Sequence, residues 1–94
     1  MTGKQMFTIL YSISMAVEIN EPISVGAVFS RGSIKPVWFV WKGRQVRIQE
    51  VTFSWRTRAG SAGILHFSVT AGQGLYEICY NAESFNWRLT KAEV

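Results

Sequence analysis

Apolar side chains recur at every second position through most of this chain. Phe7, Ile9, Tyr11, Ile13, Met15, Val17 and Ile19 are all odd-numbered, with Thr8, Ser12, Ser14 and Glu18 between them. Ile23, Val25, Ala27 and Phe29 repeat the pattern; so do Leu65, Phe67 and Val69, then Phe85, Trp87 and Leu89. Successive side chains of a strand point to opposite faces, so a period of two means a half-buried β-strand. No window shows a convincing helical period. The alternation predicts an all-β fold without significant helix.

Turn residues divide the pattern. A long N-terminal strand over about residues 6–19 is predicted to end at the turn Asn20-Glu21-Pro22. A second strand runs from Ile23 to Phe29, and Ser30-Arg31-Gly32-Ser33 reads as a hairpin. The third, about Ile34 to Trp41, is apolar on both faces and reads as central; Lys42-Gly43 turns after it. The fourth changes phase: Val46 and Ile48 are even, Val51, Phe53 and Trp55 odd. A one-residue slip turns a strand inside out unless a residue is inserted, so a β-bulge is predicted at Gln49-Glu50. Thr57 to Gly63 reads as a flexible loop. Hairpins at Ala71–Gly74 and Asn81–Ser84 complete six to seven antiparallel strands. They form a meandering, strongly curled sheet that closes as a small barrel or a sandwich. With 94 residues the chain is expected to be a single domain over residues 1–94.

The formal charge is +4, unevenly spread. Arg31, Lys35, Lys42, Arg44, Arg47, Arg56 and Arg58 are opposed between them only by Glu50. The same stretch holds Trp38, Phe39, Trp41, Phe53 and Trp55. Such a field favours anionic partners, either nucleic acid or an acidic protein. By parity, Val46 and Ile48 face the core and Arg47 faces out. After the expected bulge Thr52, Ser54 and Arg56 face out as well, Lys42 lies at the turn and Arg58 in the following loop. Trp41, Phe53, Trp55 and Trp87 read as core rings, and Trp38 as the ring that can be exposed. Lys42, Arg44, Arg47, Arg56, Arg58 and Trp38 are thus the candidate nucleic-acid-binding residues.

Catalytic chemistry is poorly supplied. There is no aspartate, and the six glutamates sit in no recognisable motif. Cys79 is the single cysteine and His66 the single histidine, too few for a four-ligand zinc site or an internal disulfide. A Cys79–His66 dyad across neighbouring strands is conceivable, but a small buried thiol and a surface imidazole explain both residues. No phosphate-cradling glycine loop, cofactor motif or catalytic residue is expected. MFTILYSISMAV after Lys4 imitates a secretory signal, but its serines and threonines favour a strand. No run is long enough to span a membrane. One unpaired thiol suits a cytoplasmic protein.

The runs PVWFVWKGRQVRIQEVTFSWR and YEICYNAESFNWRL resemble a group of small bacterial all-β domains of unknown function. Their pattern is W-x-G-R-x-Y-x-V, then V-x-x-x-W, then Y-E-L…W-x-L. Trp41, Gly43, Arg44, Val46, Ile48, Val51, Trp55, Tyr76, Glu77, Ile78, Trp87 and Leu89 carry the resemblance, which covers about residues 22–89. Val46 stands where an aromatic is commoner, and the long first strand lies outside the pattern. Some members look to be encoded beside DNA-damage-tolerance polymerases; this implies a compact β-domain and a nucleic-acid connection, and no catalytic residue. The expected function is a non-enzymatic binding module that contacts nucleic acid through its basic-aromatic hairpin. The alternative is a protein-interaction module or small homo-oligomer built on the N-terminal strand. Monomer and homodimer both stay open.

Overall fold

A computed structural model describes residues 17–93. Seven strands follow in chain order: β1 (Val17–Ser30), β2 (Ser33–Trp41), β3 (Arg44–Arg47), β4 (Glu50–Ala59), β5 (Ala62–Ala71), β6 (Gly74–Asn81) and β7 (Asn86–Glu93). All pairings are antiparallel, in the order β3-β2-β1-β7-β6-β5-β4. The fold is all-β, a strongly curled half-barrel with no helix among the described residues. Of the expected first strand over about 6–19, only Val17, Glu18 and Ile19 lie within the described residues, and they open β1.

Two segments bend the sheet by serving two neighbours in turn. β1 pairs with β7 from Val17 to Ile23 and with β2 from Ser24 to Ser30. The second is the run from β3 to β4. β3 lies beside β2 at one end of the sheet order and β4 beside β5 at the other, yet only Ile48 and Gln49 separate them. Ile48 donates its N–H to the Val37 carbonyl (2.9 Å), and Gln49 donates to the Thr70 carbonyl (2.8 Å). Two successive amides thus join opposite ends of the sheet.

This handover replaces the bulge expected at Gln49-Glu50. Leaving one neighbour and joining another absorbs the phase slip, so Ile48 and Val51 both pack against the core. A bulge does occur, two residues later: the register shifts between Val51 and Phe53, leaving Thr52 unpaired. The expected turn at Asn20-Glu21-Pro22 is also a bulge, inside an unbroken β1. Asn20 has φ 56°, and Arg88 of β7 bridges it, donating from Nε to Asn20 Oδ1 (2.8 Å) and from Nη2 to its carbonyl (2.7 Å). The expected loop over 57–63 is mostly strand. Gly60, at φ 63°, lets two residues turn the chain, so β4 reaches Ala59 and β5 begins at Ala62.

The core is built from one face of each strand. Phe39, Phe67, Val69, Ile78, Tyr80, Trp87 and Leu89 are buried together, with Ile23, Val25, Val46 and Leu65 packed against them. Trp87 is core, as its parity predicts. Phe85 is not: it sits in the β6–β7 turn at φ 62° and is exposed. Asn81 Oδ1 accepts from the Glu83 and Ser84 amides, forming an Asx-type turn that lifts Phe85 off the strand.

Ile78 is fully buried, whereas Leu75, on the same strand, is 48% exposed. Ile78→Ala is expected to cost about 2–5 kcal/mol in urea unfolding, and Leu75→Ala less than about 0.5 kcal/mol. Equal losses would contradict the assignment of faces.

Candidate functional site

The β2–β3 hairpin is set by its turn. Lys42 (φ 53°) and Gly43 (φ 73°) both occupy the left-handed region, the requirement of a two-residue type I′ turn. The turn fixes the register: Trp41 faces Arg44, Phe39 faces Val46, Val40 faces Gln45 and Trp38 faces Arg47. Cross-strand partners share a face. Phe39 and Val46 belong to the core, so Trp38 and Arg47 point to the outer face. The apolar character of both faces of β2 comes from a bulge. The register with β1 shifts so that Val37 is unpaired, and the core side passes from Pro36 to Phe39.

Trp38 has a seat. Its partner on β1 is Gly26, and a β-carbon built there would overlap the indole at Cε2, Nε1 and Cζ2. The ring therefore lies over bare backbone, one side against the sheet, and stays part-exposed. Aromatic cover of a strand glycine is a known way to pin register. Beside the ring are Lys35 and Arg47, and the three line an outer cleft of about 390 Å³ with Gln49 and Glu50. Glu50 is the one acid there.

The other expected residues divide between two places. Arg44 belongs to the core side of β3, at the mouth of the half-barrel. There it lines a larger cleft of about 1200 Å³ with Lys42, Trp41, Val46 and Tyr76, facing the β5–β6 turn. Lys42 Nζ lies 4.7 Å from the Trp41 ring centre, a cation–π contact. Trp41 meets Tyr76 edge-on at 6.1 Å, and Tyr76 meets Phe39 at 5.2 Å. β3 is thus a wall between the two clefts.

Arg56 and Arg58 stand apart. Arg56 pairs with Leu65 and Arg58 with Gly63, on the core side of edge strand β4. The expectation that Lys42, Arg47 and Arg56 share one face is corrected. The Thr52 bulge inverts β4, and about 30 Å of extended chain separates Arg47 from Arg56. Arg58 lies in strand, not in a loop. Arg56 instead lines an opening with Phe29, Arg31 and Ile34. Among the described residues none of these cations is tied to a carboxylate.

The same inversion turns two rings expected in the core to the outer face. Phe53 pairs with Ser68 and Trp55 with His66, on the outer face. Phe53 is 63% exposed. Trp55 and His66 are parallel within 6° at 4.9 Å, and Phe53 and Trp55 within 29° at 5.5 Å. The phase slip was visible in the sequence; the second bulge carried no residue signal, since Thr52 is an ordinary strand residue.

His66 and Cys79 are direct cross-strand partners. His66 Nε2 is engaged by Thr57 Oγ1 at 2.7 Å, and Nδ1 is buried without a partner. Burial pushes the Cys79 thiol up; the Arg88 guanidinium opposes this and the Glu77 carboxylate adds to it. A thiol held neutral is a poor nucleophile. No group of three or more His, Cys or acidic residues converges among the described residues. No helix there is long and apolar enough to cross a membrane.

Compared with known protein families, curated proteins and solved structures, the chain gives no match.

Gly26→Ala is expected to displace the Trp38 ring and cost about 1–3 kcal/mol, with a shift in Trp emission. Unchanged stability and emission would remove the seat. Cys79 is expected to react with a thiol reagent at pH 8 far more slowly in the native protein than in urea. The folded state favours the protonated thiol, so Cys79 adds stability below its unfolded pKa and withdraws it as pH rises above that value. Equal labelling rates would contradict this.

Proposed function

We propose that this protein is a nucleic-acid-binding module, not an enzyme, and that its contact surface is the outer face of β1–β3. The observation that carries the reading is Trp38 over Gly26, directly across from Arg47. A ring held against a sheet offers a flat surface on which any base can stack, and stacking is worth about 1–3 kcal/mol per base. Lys35 and Arg47 beside it supply the charge that phosphates require. Lys42 and Arg44 at the hairpin end extend that charge around the tip. Glu50 opposes it and keeps the patch from being uniformly basic. A cytoplasmic setting is part of the same proposal, with the unpaired Cys79 as its support.

Binding to labelled single- and double-stranded DNA and RNA at several salt concentrations tests the proposal. Three to five phosphate contacts give a log–log slope of roughly −2 to −5. Arg47→Glu weakens binding about tenfold or more and flattens the slope, while Trp38→Ala weakens it with the slope nearly kept. Absence of binding at low salt contradicts the proposal.

A further inference from the structure

The geometry points to a second base-stacking platform, the Phe53–Trp55–His66 array on the outer face of β4–β5, so that one single-stranded nucleic acid runs along the β3–β4 ribbon from Trp38 to Trp55. This rests on the function proposed above and specifies its ligand.

Phe53, Trp55 and His66 form a near-parallel set, and their order is built in. Thr57 Oγ1 lies 2.7 Å from His66 Nε2, which fixes the imidazole, and the imidazole backs Trp55. Phe53 lies at the solvent end, stacked on Trp55 on one side and 63% exposed. Exposing a phenyl ring beside a half-buried indole gains nothing for the core. The Thr52 bulge is what turns both rings outward, and without it they would continue the inward face of Val51.

Arg47 and Phe53 both belong to the outer face, and the chain between them crosses the handover at Ile48–Gln49. Trp38 is the cross-strand neighbour of Arg47. Rings and cation therefore follow one ribbon. Arg47 to Trp55 spans about 26 Å of extended chain, enough for on the order of 4–6 nucleotides, within the range of sheet-face sites. A duplex keeps its bases stacked inside and offers none to rings lying on a sheet, whereas a single strand does. Glu50 lies on the path and repels it.

The test uses the full chain with oligothymidylates and oligouridylates of 2 to 12 nucleotides, followed by fluorescence anisotropy. Affinity is expected to climb with length to about five nucleotides and then level. Phe53→Ala, at an exposed position that the fold does not need, weakens the 12-mer about 5- to 150-fold and leaves the dinucleotide unchanged. Trp55→Phe retains a ring and most of the affinity, and Glu50→Gln tightens the 12-mer a few-fold. Wild-type protein that binds the 12-mer, with Phe53→Ala and Trp55→Ala binding it equally well, overturns the second platform and leaves the Trp38 site standing. A tenfold preference for duplex overturns the platform too. No binding of any oligonucleotide at low salt overturns both.

Discussion

Two consecutive backbone hydrogen bonds govern this fold. Ile48 donates to β2 and Gln49 donates to β5, so one short segment belongs to both ends of the sheet. A seven-stranded antiparallel sheet has two edges, and each unpaired edge leaves donors and acceptors without partners. Passing a single chain from one edge to the other draws them together without a long connection. The sheet must then curl, and the curl brings Phe39 of β2 into one cluster with Phe67, Val69, Ile78 and Leu89 on the far side. β1 makes the matching corner by changing partner between Ile23 and Ser24. Burial of these side chains, at roughly 1.5–3 kcal/mol each, offsets the ordering of so many strand residues.

The outer surface inherits its character from the same bends. The handover at Ile48–Gln49 and the bulges at Val37 and Thr52 each reverse which residues face out, whereas β1 keeps Ile19, Ile23, Val25 and Ala27 on the core side through its own bulge and corner. Val37 out of register puts Trp38 on the outside opposite Arg47. Thr52 out of register puts Phe53 and Trp55 outside and leaves Arg56 and Arg58 on the core side of an edge strand. Inward-pointing cations and a bulge on an exposed edge are also obstacles to edge-to-edge pairing. β4 is therefore poorly suited to pair with another copy of itself, while its outer face carries an exposed Phe53 and a half-buried Trp55.

Much of the fold was legible because period two is a strong signal. The strand-like stretches from Ile23 onward are legible in the alternation, and the turns at Arg31-Gly32, Lys42-Gly43 and Gly72-Gln73 are marked by glycine. The bounds are not legible, since β1 begins by Val17, the expected fourth strand is two strands, and β4 and β5 extend through most of the expected 57–63 loop. The phase slip near Gln49 was read correctly as a discontinuity and wrongly as a bulge. Nothing in the residues distinguishes an inserted residue from a change of neighbour. Asn20-Glu21-Pro22 has turn composition, and partners distant in sequence keep it within a strand: Arg88 bridges Asn20, and Glu21 and Pro22 pair with Leu89 and Arg88 of β7. The site was half legible. Trp38 and Arg47 followed from parity, because no irregularity separates them from the turn at Gly43. Arg56 did not, since an unmarked bulge lies between. Gly26 beneath Trp38 was readable only as a strand glycine of uncertain purpose.

The account is tested most directly by amide hydrogen exchange at the handover. Both the Ile48 and Gln49 N–H groups are expected to be protected to the level of the β5–β6 ladder, because opening either means separating the two ends of the sheet. Exchange of both as fast as the turn amides of Gly43 and Gly72 would mean that the ends are not joined. The curl, the shared core and the continuous outer ribbon would then all be wrong.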